Sequence, residues 1–105
     1  MSPLETELLA TLLERYEKWK RTSYNAVYFK RMLTPGDPIH KGPVGTVKHL
    51  LSKEPNEKSG FERLRRADRL GWTVEALLQD KKWHGLFERW EIARAADRLK
   101  RKTSN

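Results

Sequence analysis

The sequence lacks cysteine altogether and contains no long apolar run. Without a thiol among its 105 residues, the chain has neither a disulfide framework nor a thiolate metal site. No stretch approaches the roughly 20 apolar residues of a membrane span, and the acidic N-terminal residues are unlike the basic start of a secretion signal. These absences predict a cytoplasmic protein without a membrane partner.

The sequence also lacks a recognisable catalytic pattern. His49 and His84 stand alone, without a serine or a pair of carboxylates at a catalytic spacing. The stretch 34–43 holds one histidine and one aspartate, too few ligands for zinc, and it lacks the Gly-Lys-Ser/Thr ending of a phosphate-binding loop. We therefore expect no catalytic residues, no cofactor and no metal. An enzyme assembled from distant residues is the least favoured hypothesis.

What the sequence has in excess is positive charge. Its 22 lysines and arginines face 14 aspartates and glutamates, a formal net charge of +8. Residues 1–19 carry two basic and four acidic groups, so we do not expect the first helix to belong to the basic surface. Residues 20–58 and residues 59–105 each carry five more basic than acidic groups. Such a field attracts polyanions without identifying one of them.

Apolar spacing and helix-capping residues predict an all-α protein. Ser2 suits the cap of a first helix, which has a proline at its first position and apolar residues at spacings of three and four. Ser23, Ser59 and Thr73 suit the caps of later helices, and Gly71 suits the end of one. The predicted helices cover residues 3–21, 24–33, 44–52, 60–70, 74–79 and 88–102.

We expect residues 1–105 to form a single domain, a compact orthogonal bundle of five or six helices with a disordered tail at residues 102–105. The stretch 34–43 holds three prolines and two glycines and is expected to be a loop. The core is expected to consist of apolar side chains from every helix. These are Leu8, Leu12, Tyr16, Phe29, Met32, Leu50, Leu51, Phe61, Leu64, Leu70, Leu77, Leu78, Phe87, Ile92 and Leu99.

Several short groups of residues form a pattern between positions 24 and 99. They include Tyr24-Asn25, Tyr28-Phe29, Met32-Leu33, Ser59-Gly60-Phe61, Arg69-Leu70 and Thr73-Val74-Glu75. This pattern resembles that of a small all-helical bacterial domain that recurs among proteins of uncharacterised function. Gly71 and Trp72 stand where that pattern has an acidic residue and a leucine. The resemblance implies a helical fold and no reaction, substrate or partner.

The fourth predicted helix carries a cluster of arginines. At about 100° per residue, Arg65, Arg66 and Arg69 fall on the half of the helix opposite its apolar residues. Guanidinium groups offer planar paired donors that suit phosphate oxygens. The alternative is a soluble face on which Glu62 and Asp68 pair with some of the arginines.

The last predicted helix repeats this arrangement. Arg94, Arg98 and Arg101 are expected to face solvent, opposite a buried half formed by Ile92, Ala93, Ala96 and Leu99. Trp90 lies at the edge of the apolar half and is a candidate for stacking on an unpaired base. A packed tryptophan covered by a neighbouring arginine stem is the alternative interpretation.

Together these features predict a basic helical module without enzymatic activity. The first hypothesis is that it binds the phosphate backbone of DNA or RNA with little base specificity. The second is an adaptor that docks an acidic or helical protein partner. A helix-turn-helix reader with its recognition helix starting at Val74 is disfavoured, because Glu75 would face outward into the groove. The residues predicted to contact nucleic acid are Arg65, Arg66, Arg69, Arg94, Arg98 and Arg101.

Overall fold

The part of the chain that the structure describes forms six α-helices. The structure, a computed structural model, describes residues 2–22, 24–53 and 59–103, with side chains as far as residue 100. Within these residues there is no strand, and the all-α prediction is confirmed. The helices are α1 (Pro3–Lys20), α2 (Val27–Leu33), α3 (Gly42–Ser52), α4 (Gly60–Arg66), α5 (Val74–Leu77) and α6 (Arg89–Thr103). Two short 3₁₀ helices, Leu70–Trp72 and Lys81–Leu86, flank α5.

Helix α1 begins as its sequence predicts. The hydroxyl of Ser2 accepts a hydrogen bond from the backbone N–H of Glu5 at 3.1 Å, which satisfies one of the free donors of the first turn. The helix buries one apolar stripe, made of Leu8, Leu12, Tyr16 and Trp19, and packs this stripe largely against α3. The stripe forms one wall of the core.

Helix α2 begins three residues later than predicted. Ala26 is its N-cap residue, with φ −86° and ψ 63° and no side-chain cap, and the predicted cap Ser23 lies outside the described residues. Tyr24 precedes the helix, and its ring packs against Trp19 with the ring centroids 5.7 Å apart. Helix α3 begins at Gly42, two residues before its predicted start, because Pro43 fits a first helical turn.

Helix α4 ends four residues earlier than predicted. Asp68 adopts a left-handed backbone conformation, with φ 60°, and takes the stop position that the sequence assigned to Gly71. The N–H of Arg69 donates to the carbonyl of Leu64 at 2.8 Å. The N–H of Asp68 donates to the carbonyl of Arg65 at 3.0 Å. This pair of bonds is the Schellman motif, which satisfies carbonyls at a helix end. Arg69 therefore lies beyond α4.

Helix α6 starts one residue after its predicted start and continues through Thr103. Residue 102, the last residue of the predicted helix, is helical, and so is residue 103, which was predicted as tail; residues 104 and 105 lie outside the described part of the chain. No helix within that part is both long enough and apolar enough to cross a membrane.

The core contains most of the predicted residues and several others. Leu50, Leu70, Ile92 and Leu99 are half-buried rather than buried. The additional buried apolar residues are Trp19, Ala26, Leu33, Val47, Val74, Trp83 and Ala95. On α6 the buried face consists of Glu91, Ala95 and Arg98, whereas Ala93 is exposed. The predicted buried half of α6 is thus wrong, because two charged side chains occupy the inward positions.

Candidate polyanion-binding surface

Arg98, one of the six predicted contacts to nucleic acid, is inside the protein. Only 3% of its surface is exposed. Its Nη1 donates to a carboxylate oxygen of Glu75 at 2.8 Å. A guanidinium held in this way cannot reach a phosphate in solvent, so the predicted outward position of Arg98 is wrong.

The surroundings of Arg98 explain its burial. Its two Nη groups also donate to the carbonyls of Leu50, Leu51 and Lys53, at the C-terminal end of α3. These carbonyls have no partner within their own helix, and the negative end of the helix dipole attracts a cation. Glu75 lies in the first turn of α5, where a carboxylate is favourable. Arg98 therefore joins α6 to the end of α3 and the start of α5.

The arginines of α4 do not form a row on one face. Arg65 is half-buried, and both its Nε and its Nη2 donate to one oxygen of Glu62, at 3.2 and 3.1 Å. Arg66 is exposed at the last residue of the helix. Arg69 is exposed but follows the helix end, so it points away from the direction that a continuous helix would give it.

The remaining predicted residues on α6 have mixed environments. Arg94 is half-buried, and the side chain of Arg101 lies outside the described residues. Trp90 is 50% exposed, and its indole N–H donates to the carboxylate of Glu88. Helix α6 packs chiefly on α5 and α3, whereas α4 packs chiefly on the 3₁₀ helix that follows it. Each of the two arginine-rich helices is thus packed chiefly on other elements.

A different group of cations assembles around Trp72. The guanidinium carbon of Arg69 lies 5.2 Å from the centroid of the indole, and the Nζ of Lys18 lies 5.9 Å from it. Arg15, one turn before Lys18 on α1, donates to the carbonyl of Gly71 at 3.2 Å. We call Arg15, Lys18, Arg69 and Trp72 the Trp72 cluster. Two cations of α1 thus lie beside Arg69, although α1 was predicted to lie outside the basic surface.

Two hydrogen bonds from α1 hold the Trp72 cluster together. Besides the bond from Arg15, the indole N–H of Trp19 donates to the carbonyl of Trp72 at 2.8 Å. Trp19 is buried, so this bond is shielded from water and fixes the 3₁₀ helix against α1. The connection between α4 and α5 therefore has one position relative to α1.

The cations of the Trp72 cluster make mainly main-chain contacts and one weak ion pair among the described residues. Among the described residues, the hydrogen bonds of Arg15 and Arg69 go to main-chain carbonyls, those of Gly71 and Asp68. Lys18 pairs with Glu14 at 3.6 Å, but this pair is exposed and contributes little. Two cations, Lys18 and Arg69, thus lie over one half-buried indole, and a third, Arg15, contacts the main chain of the preceding residue.

The sequence contains one signal for the Trp72 cluster, but the net charge of residues 1–19 conceals it. Arg15 and Lys18 are three residues apart and so share a face of α1. The net charge of residues 1–19 conceals them, because the four glutamates are counted with them. The contact between this face and Trp72 is a tertiary feature that spacing alone does not contain.

A second pair of cations lies at the buried ring of Tyr16, with the Nζ atoms of Lys20 and Lys30 at 5.3 and 5.2 Å from its centroid. Trp83 is buried, Tyr24 is half-buried and Tyr28 is exposed. Burial, and then the charges of Lys53 and Lys41, hold the pKa of His49 below its usual range. Within the described residues, no group of three or more histidines and acidic residues is placed to hold a metal ion.

Comparison of the chain with protein-family models, with curated proteins and with solved structures finds no match. The resemblance to a small bacterial helical domain therefore stays a prediction. What the fold itself defines is an all-α helical bundle.

Proposed function

We propose that this protein binds the phosphate backbone of nucleic acid, DNA or RNA, through the Trp72 cluster. The observation that carries the proposal is that Lys18 and Arg69, from two distant segments, lie over one indole, while Arg15 donates to the adjacent carbonyl of Gly71. A set of cations held in place by the fold needs less ordering when a row of phosphates binds. Each phosphate that the cluster neutralises releases counterions, which favours binding at low salt.

The arrangement supports contact with phosphates rather than with bases. Lys18 and Arg69 both lie over the ring of Trp72, so a base that stacked there would have to displace a cation. Glu75, at the start of α5, is buried in its contact with Arg98 and does not face a groove. Binding is therefore expected to tolerate changes in base sequence.

Fluorescence anisotropy with labelled duplex and single-stranded oligonucleotides, at about 50 and about 200 mM salt, tests the proposal. We expect binding at low salt and a loss of affinity at high salt. The triple variant Arg15→Gln, Lys18→Gln, Arg69→Gln should bind at least about tenfold more weakly at low salt and show a smaller salt dependence.

A matched variant separates the Trp72 cluster from the net charge of the protein. Lys41→Gln, Lys81→Gln, Arg89→Gln removes the same three charges from exposed positions outside the cluster. We expect its affinity to fall by less than about threefold, because diffuse charge contributes less than charge at the binding site. Equal weakening in the two triple variants, or no binding at low salt, contradicts the proposal.

The same assay separates nucleic acid from an acidic protein partner. Poly-glutamate at matched charge concentration serves as competitor, because it offers carboxylates without the phosphate geometry. We expect it to compete poorly. If it displaces both oligonucleotides at lower concentration than unlabelled oligonucleotide does, an acidic protein becomes the better-supported partner.

A further inference from the structure

The two cations over the ring of Trp72 lie close to each other. The Nζ of Lys18 is 5.9 Å and the guanidinium carbon of Arg69 is 5.2 Å from the same ring centroid, so their separation cannot exceed the sum of these two distances. Arg69 is exposed, and the side chain of Lys18 is 35% exposed. Because both side chains are long and have several rotatable bonds, both charged groups can turn toward one anionic group at the surface.

Carboxylates border this pair of cations on one side. Glu14 lies one turn before Lys18 on α1, pairs with it at 3.6 Å and is 69% exposed. Glu17 is 62% exposed and pairs with Lys20 at 3.2 Å. Positions 14 and 17 are three residues apart and so lie on one face of α1. Both pairs are exposed and therefore weak, so a row of phosphates that crosses this face meets like charge.

The end of a nucleic-acid strand can carry a phosphate that suits this arrangement. A phosphomonoester has a charge of about −1.5 to −2 at pH 7 and three acceptor oxygens, whereas a phosphodiester within the strand has a single charge. One monoester can thus accept hydrogen bonds from an ammonium and a guanidinium at once. A strand leaves its terminal phosphate in one direction only, so it can avoid the face with Glu14 and Glu17. A strand bound at an internal phosphate extends past the site on both sides.

We propose that the Trp72 cluster binds a phosphomonoester at the end of a nucleic-acid strand more tightly than a phosphodiester within the strand. This preference depends on the proposed function and specifies which phosphate the cluster selects. The terminal group lies between Lys18 and Arg69 and accepts hydrogen bonds from both. The strand then runs away from Glu14 and Glu17, so the preference is for the chemical group and not for the base next to it.

Competition among unlabelled oligothymidylates tests this proposal. The protein is bound to a labelled oligothymidylate with a 5′-hydroxyl at about 50 mM salt, and displacement of this strand is followed by fluorescence anisotropy. The competitors are a strand with a 5′-phosphate, the same strand with a 5′-hydroxyl, and a 5′-hydroxyl strand two nucleotides longer, whose total charge equals that of the phosphorylated strand. We expect the phosphorylated strand to compete about five- to tenfold better than either hydroxyl strand.

Two double variants locate the preference. Lys18→Gln, Arg69→Gln removes both cations over the ring and leaves the two hydrogen bonds from α1 to the connection between α4 and α5 in place. At a protein concentration raised to keep the labelled strand bound, the phosphorylated strand and the charge-matched hydroxyl strand should then compete equally. Lys41→Gln, Lys81→Gln removes two charges from exposed positions outside the cluster and should retain the preference.

The outcomes separate this proposal from the proposed function. Binding of hydroxyl strands at low salt without a preference for the phosphorylated strand overturns the proposal and leaves backbone binding in place. The proposal also fails if the longer hydroxyl strand competes as well as the phosphorylated one, or if the preference survives Lys18→Gln, Arg69→Gln. Thymidine 5′-monophosphate should compete at least about tenfold more weakly than the phosphorylated strand, and equal competition overturns the assignment to a strand end. Absence of any binding at low salt contradicts the proposed function itself.

Discussion

The tetrapeptide Ala-Asp-Arg-Leu occurs twice in this chain, at residues 67–70 and 96–99, and the two copies have opposite structures. In the first copy α4 has ended, Asp68 has a left-handed backbone and Arg69 is exposed at the Trp72 cluster. In the second copy α6 continues without interruption and Arg98 is buried. Four identical residues thus give a helix end in one place and a helix interior in the other.

The difference comes from outside the tetrapeptide. Gly71 follows the first copy and disfavours continuation of a helix, whereas Lys100 follows the second and favours it. Arg98 meets Glu75 and the free carbonyls of α3, which together satisfy its charge. Arg69 meets the ring of Trp72 and stays at the surface. The environment of each arginine therefore depends on what the fold places opposite it.

Replacing the arginine of each copy should give the largest difference in the free energy of unfolding between the two copies. Arg98→Met leaves Glu75 buried without a cation and should lower the free energy of unfolding by about 3 to 5 kcal/mol. Arg69→Met removes an exposed cation and should change it by less than about 0.5 kcal/mol. Urea unfolding followed by circular dichroism measures both values. A loss below about 1 kcal/mol for Arg98→Met contradicts a structural role for this contact.

The Glu75 and Arg98 contact can be tested further by removing both charges. In the double variant Arg98→Met, Glu75→Met, no isolated buried charge remains, so stability should recover by about 2 kcal/mol relative to Arg98→Met. Full recovery is not expected, because the carbonyls of Leu50 and Leu51 still lose their donor. A double-mutant cycle from unfolding curves gives the coupling. Simple additivity of the two single changes contradicts direct pairing.

Glycine and alanine should differ in their effect on stability at the two aspartates of the tetrapeptides, with the opposite order at each position. At position 68, the glycine variant should be more stable than the alanine variant by about 1 kcal/mol, because alanine disfavours positive φ. At position 97, inside α6, the alanine variant should be the more stable by about 0.8 to 1 kcal/mol. Thermal unfolding of Asp68→Gly, Asp68→Ala, Asp97→Gly and Asp97→Ala provides the measurement. The same order at both positions would show that α4 does not end at Asp68.

Arg63 lies near an aromatic ring, as Arg69 does, and should affect the pKa of that ring's phenol, which belongs to Tyr24. Burial raises the pKa of the Tyr24 phenol above 10.0, the nearby Arg63 lowers it, and Glu75 raises it. Arg63→Gln should therefore raise this pKa further, measured by the ¹³Cζ shift of Tyr24 against pH. Because the folded pKa is raised, this phenol's contribution to stability is present below pH 10 and is lost as pH rises through the folded value. An unchanged or lowered pKa in the variant contradicts the contact.

The parts of the fold that follow from local chemistry could be predicted from the sequence. The cap of α1 by Ser2 and the cap of α5 by Thr73 both depend on residues within one helical turn. The start of α6 was likewise within one residue of its predicted position. In these places the sequence contains both partners of each interaction.

The proposed binding surface was harder to predict, because its contacts join distant segments. The prediction assumed that charged side chains face outward, and it therefore placed Arg98 in solvent. Burial of this guanidinium becomes favourable because a carboxylate and carbonyls at a helix end accept its hydrogen bonds. Arg15 and Lys18 were left out of the basic surface for a similar reason, since they reach Trp72 only through the packing of α1. The contacts of Arg65, Arg66, Arg94 and Arg101 with nucleic acid stay predictions.

The two bonds that α1 makes to the connection between α4 and α5 span 56 and 53 residues of chain. The Trp72 cluster therefore exists only while the chain is folded, but the formal charge of +8 persists after unfolding. A polyanion that binds the folded protein as proposed is expected to bind the unfolded chain as well, and this reduces the stabilisation that binding to the folded state would otherwise give. Melting temperatures are thus expected to rise less than the affinity of the folded protein would suggest, and in excess polyanion the shift reaches a plateau set by the ratio of the two affinities.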